Sequence, residues 1–468
     1  MKTGYIHRKS MNPCGLRFDS SYHLSDGVAV KRVIASSPYP LMPIEKAADR
    51  IFIGGRARRV YVKDREHGIP FLSSSDILQA DLEAVKLASK KYTPNVEDMK
   101  LQKGWTLITR SGTIGNCAFA NAKHAQKLAS EDVIRLVPNN ILREGYIYAY
   151  LASKQGYSLL TQGTFGAVIQ HIEPAYVASL PIPVAPESFQ QEVDDLIQES
   201  ARLREEAADM LSMAKILLKR KANLKDLTPD DYDYYGPRTA NRKVSCFSIS
   251  RKNITTTTIN AFNLSERIKN AKSKLNSVVS LKETLISQTV FSTGSFPRVE
   301  VSNDKGIMLI NQSDIFDTLI KGKRISRRNV KIDNLVNYGE VLIAGVGTLG
   351  DSEKFCHVIY ANEDLVGQLV SGEFIRMKTI QDIPSGYLFA WLDTDFGFRF
   401  IRNTQAGTKL CRPIPKLLLE IPVPIIDKES MLEIDKLVRD AHTKRYQANC
   451  NERQAISMIE QEIESWTK

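Results

Sequence analysis

Gly145-Tyr146-Ile147-Tyr148-Ala149-Tyr150-Leu151 decides how the rest of this chain is read, because it returns as Gly386-Tyr387-Leu388-Phe389-Ala390-Trp391-Leu392, 241 residues later. The likeness runs on at the same offset. Gly156 and Gly166 are answered by Gly397 and Gly407, and Leu180-Pro181-Ile182-Pro183-Val184 by Ile421-Pro422-Val423-Pro424-Ile425. Three glycines, a Pro-x-Pro pair in each copy and an aromatic run in constant spacing mark an internal duplication. Upstream the offset drifts by a few residues, as loop insertions in two copies of one fold would cause. Val28-Ala29-Val30 and Arg59-Val60-Tyr61-Val62, β-rich runs about Gly54-Gly55, recur at Val290 to Val301 around Gly294, where Arg298-Val299 answers Arg59-Val60. Ser75-Asp76-Ile77 is answered by Ser313-Asp314-Ile315, and Gly112-Thr113-Ile114-Gly115 by Gly347-Thr348-Leu349-Gly350. Glycine-punctuated apolar runs predict strands and turns, with helices near Pro43 to Arg50 and Tyr146 to Gln162.

After each Pro-x-Pro pair the pattern changes. Phe189, Val193, Leu196, Ser200, Leu203, Ala207, Met210, Ala214, Leu217, Lys221 and Leu224 step by four and three, and most are apolar. Met431, Ile434, Val438, Ala441, Arg445, Ala448, Glu452, Ala455, Ile459, Glu462 and Trp466 repeat the stepping after the second copy. These are coiled-coil seams. Helices of this length must bury their stripes, and an antiparallel pairing of the two does so. Thr228 to Asn260, with Pro229 and Gly236-Pro237, reads as a linker into the second copy.

Composition sets the outer bounds. At 468 residues, 43% hydrophobic and 25% charged, the chain is long enough for two folded domains. It has no apolar run near the roughly 20 residues of a bilayer span and no signal-peptide core in its first residues, so a cytoplasmic location is expected. Six widely spaced cysteines without a Cys-x-x-Cys pair argue against a zinc cluster or disulfide framework. The net charge of +11 points to a polyanionic partner. Both helical stretches hold more acidic than basic residues, so the basic excess lies in the β-rich copies. It gathers at Arg56, Arg58 and Arg59, at Lys86, Lys90 and Lys91, and at Lys321, Lys323, Arg324, Arg327 and Arg328. Any one cluster could be a solvated turn. Ser89-Lys90-Lys91 and Ser326-Arg327-Arg328, however, occupy equivalent places in the two copies.

Catalytic signatures are missing. The Gly-Thr-apolar-Gly turns lack the spacing and Lys-Ser/Thr of a phosphate-binding loop and the Gly-x-Gly-x-x-Gly of a dinucleotide site. There is no Asn/Asp-Pro-Pro-aromatic segment of an amino-methyltransferase, Asp98-x-Lys100 has no Pro-Asp at nuclease spacing, and the seven histidines are scattered. The expectation is a chain that performs no chemistry itself. A single-chain nuclease or methyltransferase with cryptic motifs, and a coiled-coil adaptor binding RNA or protein, are the competing classes.

Two basic β-rich units, each closed by Gly/Thr-rich residues and an apolar-Pro-apolar-Pro exit into a long helix, resemble the specificity subunit of Type I restriction-modification systems. The resemblance spans nearly the whole chain, and its most specific marks are Gly163-Thr164 through Pro181-Ile182-Pro183, Gly407-Thr408 through Pro422-Val423-Pro424, the two Gly-Thr-apolar-Gly turns, and Arg17-Phe18-Asp19. It implies an α+β fold: two pseudo-symmetric β-rich target recognition domains separated by two long antiparallel coiled-coil helices. The domains would be 1–183, the first spacer helix 184–228, a linker and second recognition domain 229–424, and the second spacer helix 425–468. Each recognition domain would read half of a split double-stranded DNA target, with the DNA-contacting candidates being Arg56, Arg58, Arg59, Lys90, Lys91, Arg110, Thr113 and Thr164 in the first copy. In the second they are Lys323, Arg324, Arg327, Arg328, Thr348, Gln405, Thr408 and Lys409. The first copy reads Gly163-Thr164-Phe165-Gly166 where the second reads Gln405-Ala406-Gly407-Thr408, so base contacts do not transfer between them.

The resemblance also implies partners: methyltransferase subunits, two copies, a motor restriction subunit in a full system, and no membrane. No cofactor belongs to this chain, S-adenosylmethionine being expected in the partner that methylates adenine N6. The specificity chain of a Type II split-subunit system, or of another methylation-based phage-defence system, is the neighbouring alternative. Helices of about 39 residues at about 1.5 Å per residue are some 58 Å long, enough to hold two readers about one DNA turn, roughly 34 Å, apart.

Overall fold

The computed structural model describes residues 3–6, 19–56, 59–166, 170–228, 231, 248–264, 266–302, 306–350 and 353–467. Arg17-Phe18, Arg58 and most of the expected 228–260 linker lie outside them. The chain forms two units, residues 1–205 with 447–468, and residues 206–446.

In unit 1, β1 (Leu41–Pro43) leads through a 3-10 turn, Ile44–Ala47, into β2 (Ala48–Ile53). There follow β3 (Tyr61–Val62), β4 (Gly68–Leu72), β5 (Lys86–Ser89), β6 (Thr106–Thr109), β7 (Cys117–Phe119), β8 (Leu128–Ala129), β9 (Val133–Pro138) and β10 (Pro181–Pro183). One sheet has the order β2-β9-β6-β7 and a second β3-β5-β4-β8, and β1 pairs with β10. Neighbours on β6 face opposite ways, as strand geometry requires. Leu107 joins Leu72, Leu101 and Val133 in one core, whereas Ile108 joins Ile134, Tyr146 and Tyr150 in the core beneath the helices. Each such fully buried aliphatic side chain stabilises the fold by roughly 1.5–3 kcal/mol.

Unit 2 repeats the plan with β11 (Val278–Ser280), β12 (Ile307–Ile310), β13 (Lys323–Ile325), β14 (Val341–Ala344), β15 (Val358–Tyr360), β16 (Leu369–Val370), β17 (Phe374–Met377), β18 (Gln405–Ala406), β19 (Arg412–Pro413) and β20 (Pro422–Pro424). The orders are β15-β14-β17 and β13-β12-β16, with β11 paired to β20 and β18 to β19. Here Leu342 serves one core and Val341 and Ile343 the other.

The repeated motif now has a physical reason. In unit 1 the hydroxyls of Tyr146 and Tyr150 donate to the carbonyls of Pro183 (2.9 Å) and Pro181 (2.7 Å). In unit 2, Tyr387 donates to Pro424 (2.6 Å) and the Trp391 indole to Pro422 (2.9 Å). Along a strand, the N–H of each such residue would point the same way as its carbonyl, toward the hydroxyl or indole that is already donating to that carbonyl. Proline has no N–H to leave unpaired. Gly145 N–H donates to Asp194 (2.8 Å) and Gly386 N–H to Asp435 (2.7 Å), both acceptors lying on long helices. A Cβ at either glycine would sit 2.5 or 2.7 Å from that carboxylate, which explains the glycine.

The long helices are Glu187–Lys221 and Lys428–Ser465. In unit 1, Val193, Ile197 and Ala201 share a core with Ala455, Ile459 and Ile463. In unit 2, Ala207, Leu211 and Ala214 share one with Met431, Ile434, Val438 and Ala441. The start of one helix thus keeps company with the end of the other, an antiparallel pairing. Polar seam residues have partners: Ser200 donates to the Ala448 carbonyl (2.9 Å), and Glu452 accepts from Tyr148 and pairs with Arg204.

The α+β fold with β-rich units and two long helices is as expected, but local readings differ. Val28-Ala29-Val30 lies in a helix, Asp26–Ala35, whose Ile34 is fully buried, because tertiary packing overrides β propensity. Pro43 to Arg50 is a 3-10 turn and the start of a strand rather than a helix. Tyr146 to Gln162 is two helices, Glu144–Ala152 and Lys154–Gln162, broken at Ser153, whose hydroxyl accepts from Gly156 N–H. Val290 to Val301 contributes only isolated bridges, at Phe291 and Glu300.

Candidate nucleic-acid interface

Two basic clusters that stand apart in the sequence share one ribbon. Edge strand β3 pairs with β5, placing Tyr61 opposite Ala88 and Val62 opposite Leu87, and Ser89 N–H donates to the Val60 carbonyl (2.8 Å). Arg59 precedes β3, Lys86 opens β5, and Lys90 and Lys91 follow it. Tyr61 and Tyr92 are exposed between them, with the Lys86 ammonium 5.5 Å from the Tyr61 ring and that of Lys91 5.4 Å from the Tyr92 ring. Unit 2 builds the same ribbon. Ser326 N–H donates to the Val299 carbonyl (2.9 Å), Val301 N–H to that of Arg324 (3.0 Å), and Glu300 bridges Ile325. Arg298, stacked 5.9 Å from Phe296, thereby lies beside Lys323, Arg324, Arg327 and Arg328. A two-stranded ribbon has dimensions a major groove admits.

The cations are held differently. Arg59 lies 2.8 Å from Glu131 and 3.9 Å from Asp132, and Arg56 3.6 Å from Glu131. Burial opposes the charged form of Arg59, and Glu131 more than offsets that, holding the guanidinium above its usual range. The Lys90 ammonium donates to the carbonyls of Glu66 (2.7 Å) and Arg65 (3.3 Å), neutral acceptors that do not cancel its charge. Lys323 pairs with Glu300 at 2.5 Å, and Arg324 reaches the Gly306 carbonyl at 3.4 Å. Arg327 and Arg328 are exposed in a short turn in which the Ser326 hydroxyl accepts from the Arg328 N–H.

The other candidates form a second cluster of a turn against a hairpin. In unit 1, Ser111 bridges His171, Phe165 bridges His171, and Ile172 N–H donates to the Arg110 carbonyl (3.3 Å), so the exposed Thr113 turn lies beside Thr164. The Thr164 hydroxyl caps the Thr161 carbonyl. Arg110 is 16% exposed and bound to Glu173 at 2.5 Å, a tie that holds the hairpin's exit strand. In unit 2, Gly347 bridges Cys411, bringing the exposed Thr348 turn to the β18–β19 hairpin, where Thr408 and Lys409 are exposed. Gln405 faces the interior, 3% exposed. Glu131-Asp132 joins the two clusters of unit 1, since Asp132 also accepts from Arg110 N–H (2.8 Å).

Sequence reasoning missed what supports this surface. Arg135 and Arg376, 241 residues apart on β9 and β17, are both fully buried. Arg135 donates to the carbonyls of Ala129 (2.5 Å), Val133 (2.7 Å) and Ser130 (3.1 Å), pinning the turn that carries Glu131. Burial pushes its guanidinium down to about 10, still charged at neutral pH. Gly54 is small because a Cβ there would sit 2.8 Å from that guanidinium. Arg376 instead holds Glu340 at 2.8 Å and the carbonyls of Asn334 and Leu335. The signal was present: Ile134-Arg135-Leu136 and Ile375-Arg376-Met377 put a charge in matching apolar strands. Among the described residues no cluster of three His, Cys, Asp or Glu is poised to hold a metal, and no helix is long and apolar enough to cross a membrane.

Residues 54–199 match the family model of the Type I restriction modification DNA specificity domain. That span contains the unit 1 ribbon, the Glu131 turn and the Thr113–Thr164 cluster. Solved structures similar to the chain include the S subunit of a Type I restriction-modification system from M. genitalium, at 13% identity and a TM-score of 0.34, over 92% of this chain and 96% of that one. The HsdS subunit from Thermoanaerobacter tengcongensis is similar at 11% identity and 0.27, over 91% and 97%. A chain from a structure concerned with assembly and conformational transition of the type I system is similar at 14% and 0.28, over 91% and 98%. These likenesses are too loose to place any residue, and no curated protein matches the sequence. The likeness to the Type I restriction modification DNA specificity domain is thus carried by residues 54–199, the stretch that builds the unit 1 ribbon.

Proposed function

We propose that the chain is a specificity subunit that reads a bipartite double-stranded DNA target, one half with each β-rich unit, and positions partner methyltransferase subunits for adenine N6 methylation. The observation that carries this reading is the recurrence of one basic ribbon in both units, Arg59 with Lys86 to Lys91 in the first and Arg298 with Lys323 to Arg328 in the second, the first lying inside the matched domain. Cations of such a ribbon would fix the backbone register on phosphates, while exposed polar and aromatic side chains meet base edges. Division into recognition domains 1–183 and 229–424 and spacer helices 184–228 and 425–468 belongs to the same proposal. So do two methyltransferase copies, a motor restriction subunit, a cytoplasmic setting, and S-adenosylmethionine bound by the partner. Methyl transfer would act on an adenine drawn out of the stack, a step for the partner's site.

Sequencing of N6-methyladenine in cells expressing the chain with its partner methyltransferase tests the reading. A motif of two short specified sequences around an unread gap is expected. One continuous motif, or methylation that does not depend on this chain, would overturn it. Labelled S-adenosylmethionine incubated with DNA and the purified chain alone should give no transfer.

A further inference from the structure

Beneath the unit 1 ribbon lies a small cleft lined by Arg59, Tyr61, Phe71, Ala88, Thr93, Met99 and Glu131. Phe71, Ala88 and Met99 are buried and give the cleft an apolar wall, Tyr61 is 42% exposed, and Arg59, Thr93 and Glu131 complete the lining. Its deep end has room for about one water-sized group, which suits a methyl and excludes a whole base. The Arg59 guanidinium lies 5.5 Å from the Phe71 ring, fixed by Glu131.

We infer that this cleft receives the C5-methyl group of a thymine in the first half-target, making Tyr61, Ala88 and Met99 determinants of specificity. The inference rests on the DNA-reading function proposed above. The thymine methyl is the one apolar group that a base pair presents in the major groove, and the ribbon's cations supply the charge complementarity that brings a duplex to the cleft. Arg59 is then placed beside that methyl to meet the acceptors of a neighbouring base. Unit 2 carries a larger side chain at the matching place. Ala88 stands opposite Tyr61, whereas at the same register Glu300 is bridged by Ile325, a fully buried side chain three carbons larger.

The test uses the full chain with its partner methyltransferase and a duplex carrying the half-targets found by methylation sequencing. Each thymine of the first half is replaced in turn by deoxyuridine, which removes only the methyl. One position should lose about fourfold in affinity, the transfer value of one buried methyl-sized group. Ala88→Ile, which copies unit 2, should weaken binding of the thymine duplex and abolish its difference from the deoxyuridine duplex. Met99→Ala, as a second variant, should shrink the difference without closing the cleft. Tight, salt-sensitive binding with no deoxyuridine-sensitive position in the first half would overturn the cleft while leaving DNA reading intact. Failure to bind any duplex would overturn the functional proposal itself.

Discussion

Replacing Lys90, Lys91, Arg327 and Arg328 with alanine should flatten the salt dependence of DNA binding by an amount the structure bounds. Each phosphate contact contributes about 0.9 to the slope of log affinity against log salt. Arg327 and Arg328 are exposed, and no ion pair engages them among the described residues, so their loss should reduce the slope by about 1.8. Lys90 and Lys91 touch carbonyls and a ring, which do not neutralise them. If both face phosphates, the reduction reaches about 3.6. Lys323 provides the internal control: already paired with Glu300 at 2.5 Å, it has less charge to offer, and Lys323→Ala should change the slope by well under 0.9. Fluorescence anisotropy with a labelled duplex between about 50 and 200 mM salt reads these slopes. A fourfold variant with the parental slope would show that these residues are solvated turns. An effect of Lys323→Ala as large as that of Arg327→Ala would refute the argument from compensation.

Gly145→Ala and Gly386→Ala should each destabilise their unit by roughly 2–5 kcal/mol, combining overpacking against backbone with a lost charge-assisted hydrogen bond, and a drop in the urea midpoint would show it. Stability should also fall as the pH is lowered through the window from about 6.5 to about 4. Burial lowers the pKa of His124 to about 4, so the unfolded chain takes up its proton first; His442 is shifted in the same direction by burial. Thermal unfolding across that window should lose stability, by about 3 kcal/mol for His124 alone, and His124→Gln should flatten the profile. Inserting one heptad after Ala207 and another in register near Ala448 should lengthen the unread gap and keep both half-sequences, since a heptad preserves the seam. An unchanged gap in the methylated motif would end the idea of a helical ruler.

The duplication and the long helices were legible because they rest on local rules. A glycine crowded by an aspartate and prolines that spare a helix an unpaired donor leave fixed residues at fixed spacing. The strands were harder. Several span two to four residues, too short for a period to declare itself, and Val28-Ala29-Val30 became helical because Ile34 and its neighbours pack against Lys154–Gln162. At the interface, sequence found the cations and not their company. Nothing near Arg59 announces Glu131, nothing near Arg110 announces Glu173, and nothing near Lys86 announces Tyr61, because those pairings are made by chain folding over dozens of residues. Arg110 and Gln405 illustrate the loss, since one is tied to a carboxylate and the other turned inward, facts that residue type alone does not carry.

In the proposed function each β-rich unit reads its own half of the target. Residues 28–180 replaced by the corresponding unit of a related protein, with the long helices retained, give a chimaera whose methylated sites can be sequenced. Direct readout reaches only a few ångströms from base edges, so one half-sequence should change and the other should stay. A change in both halves would contradict the claim.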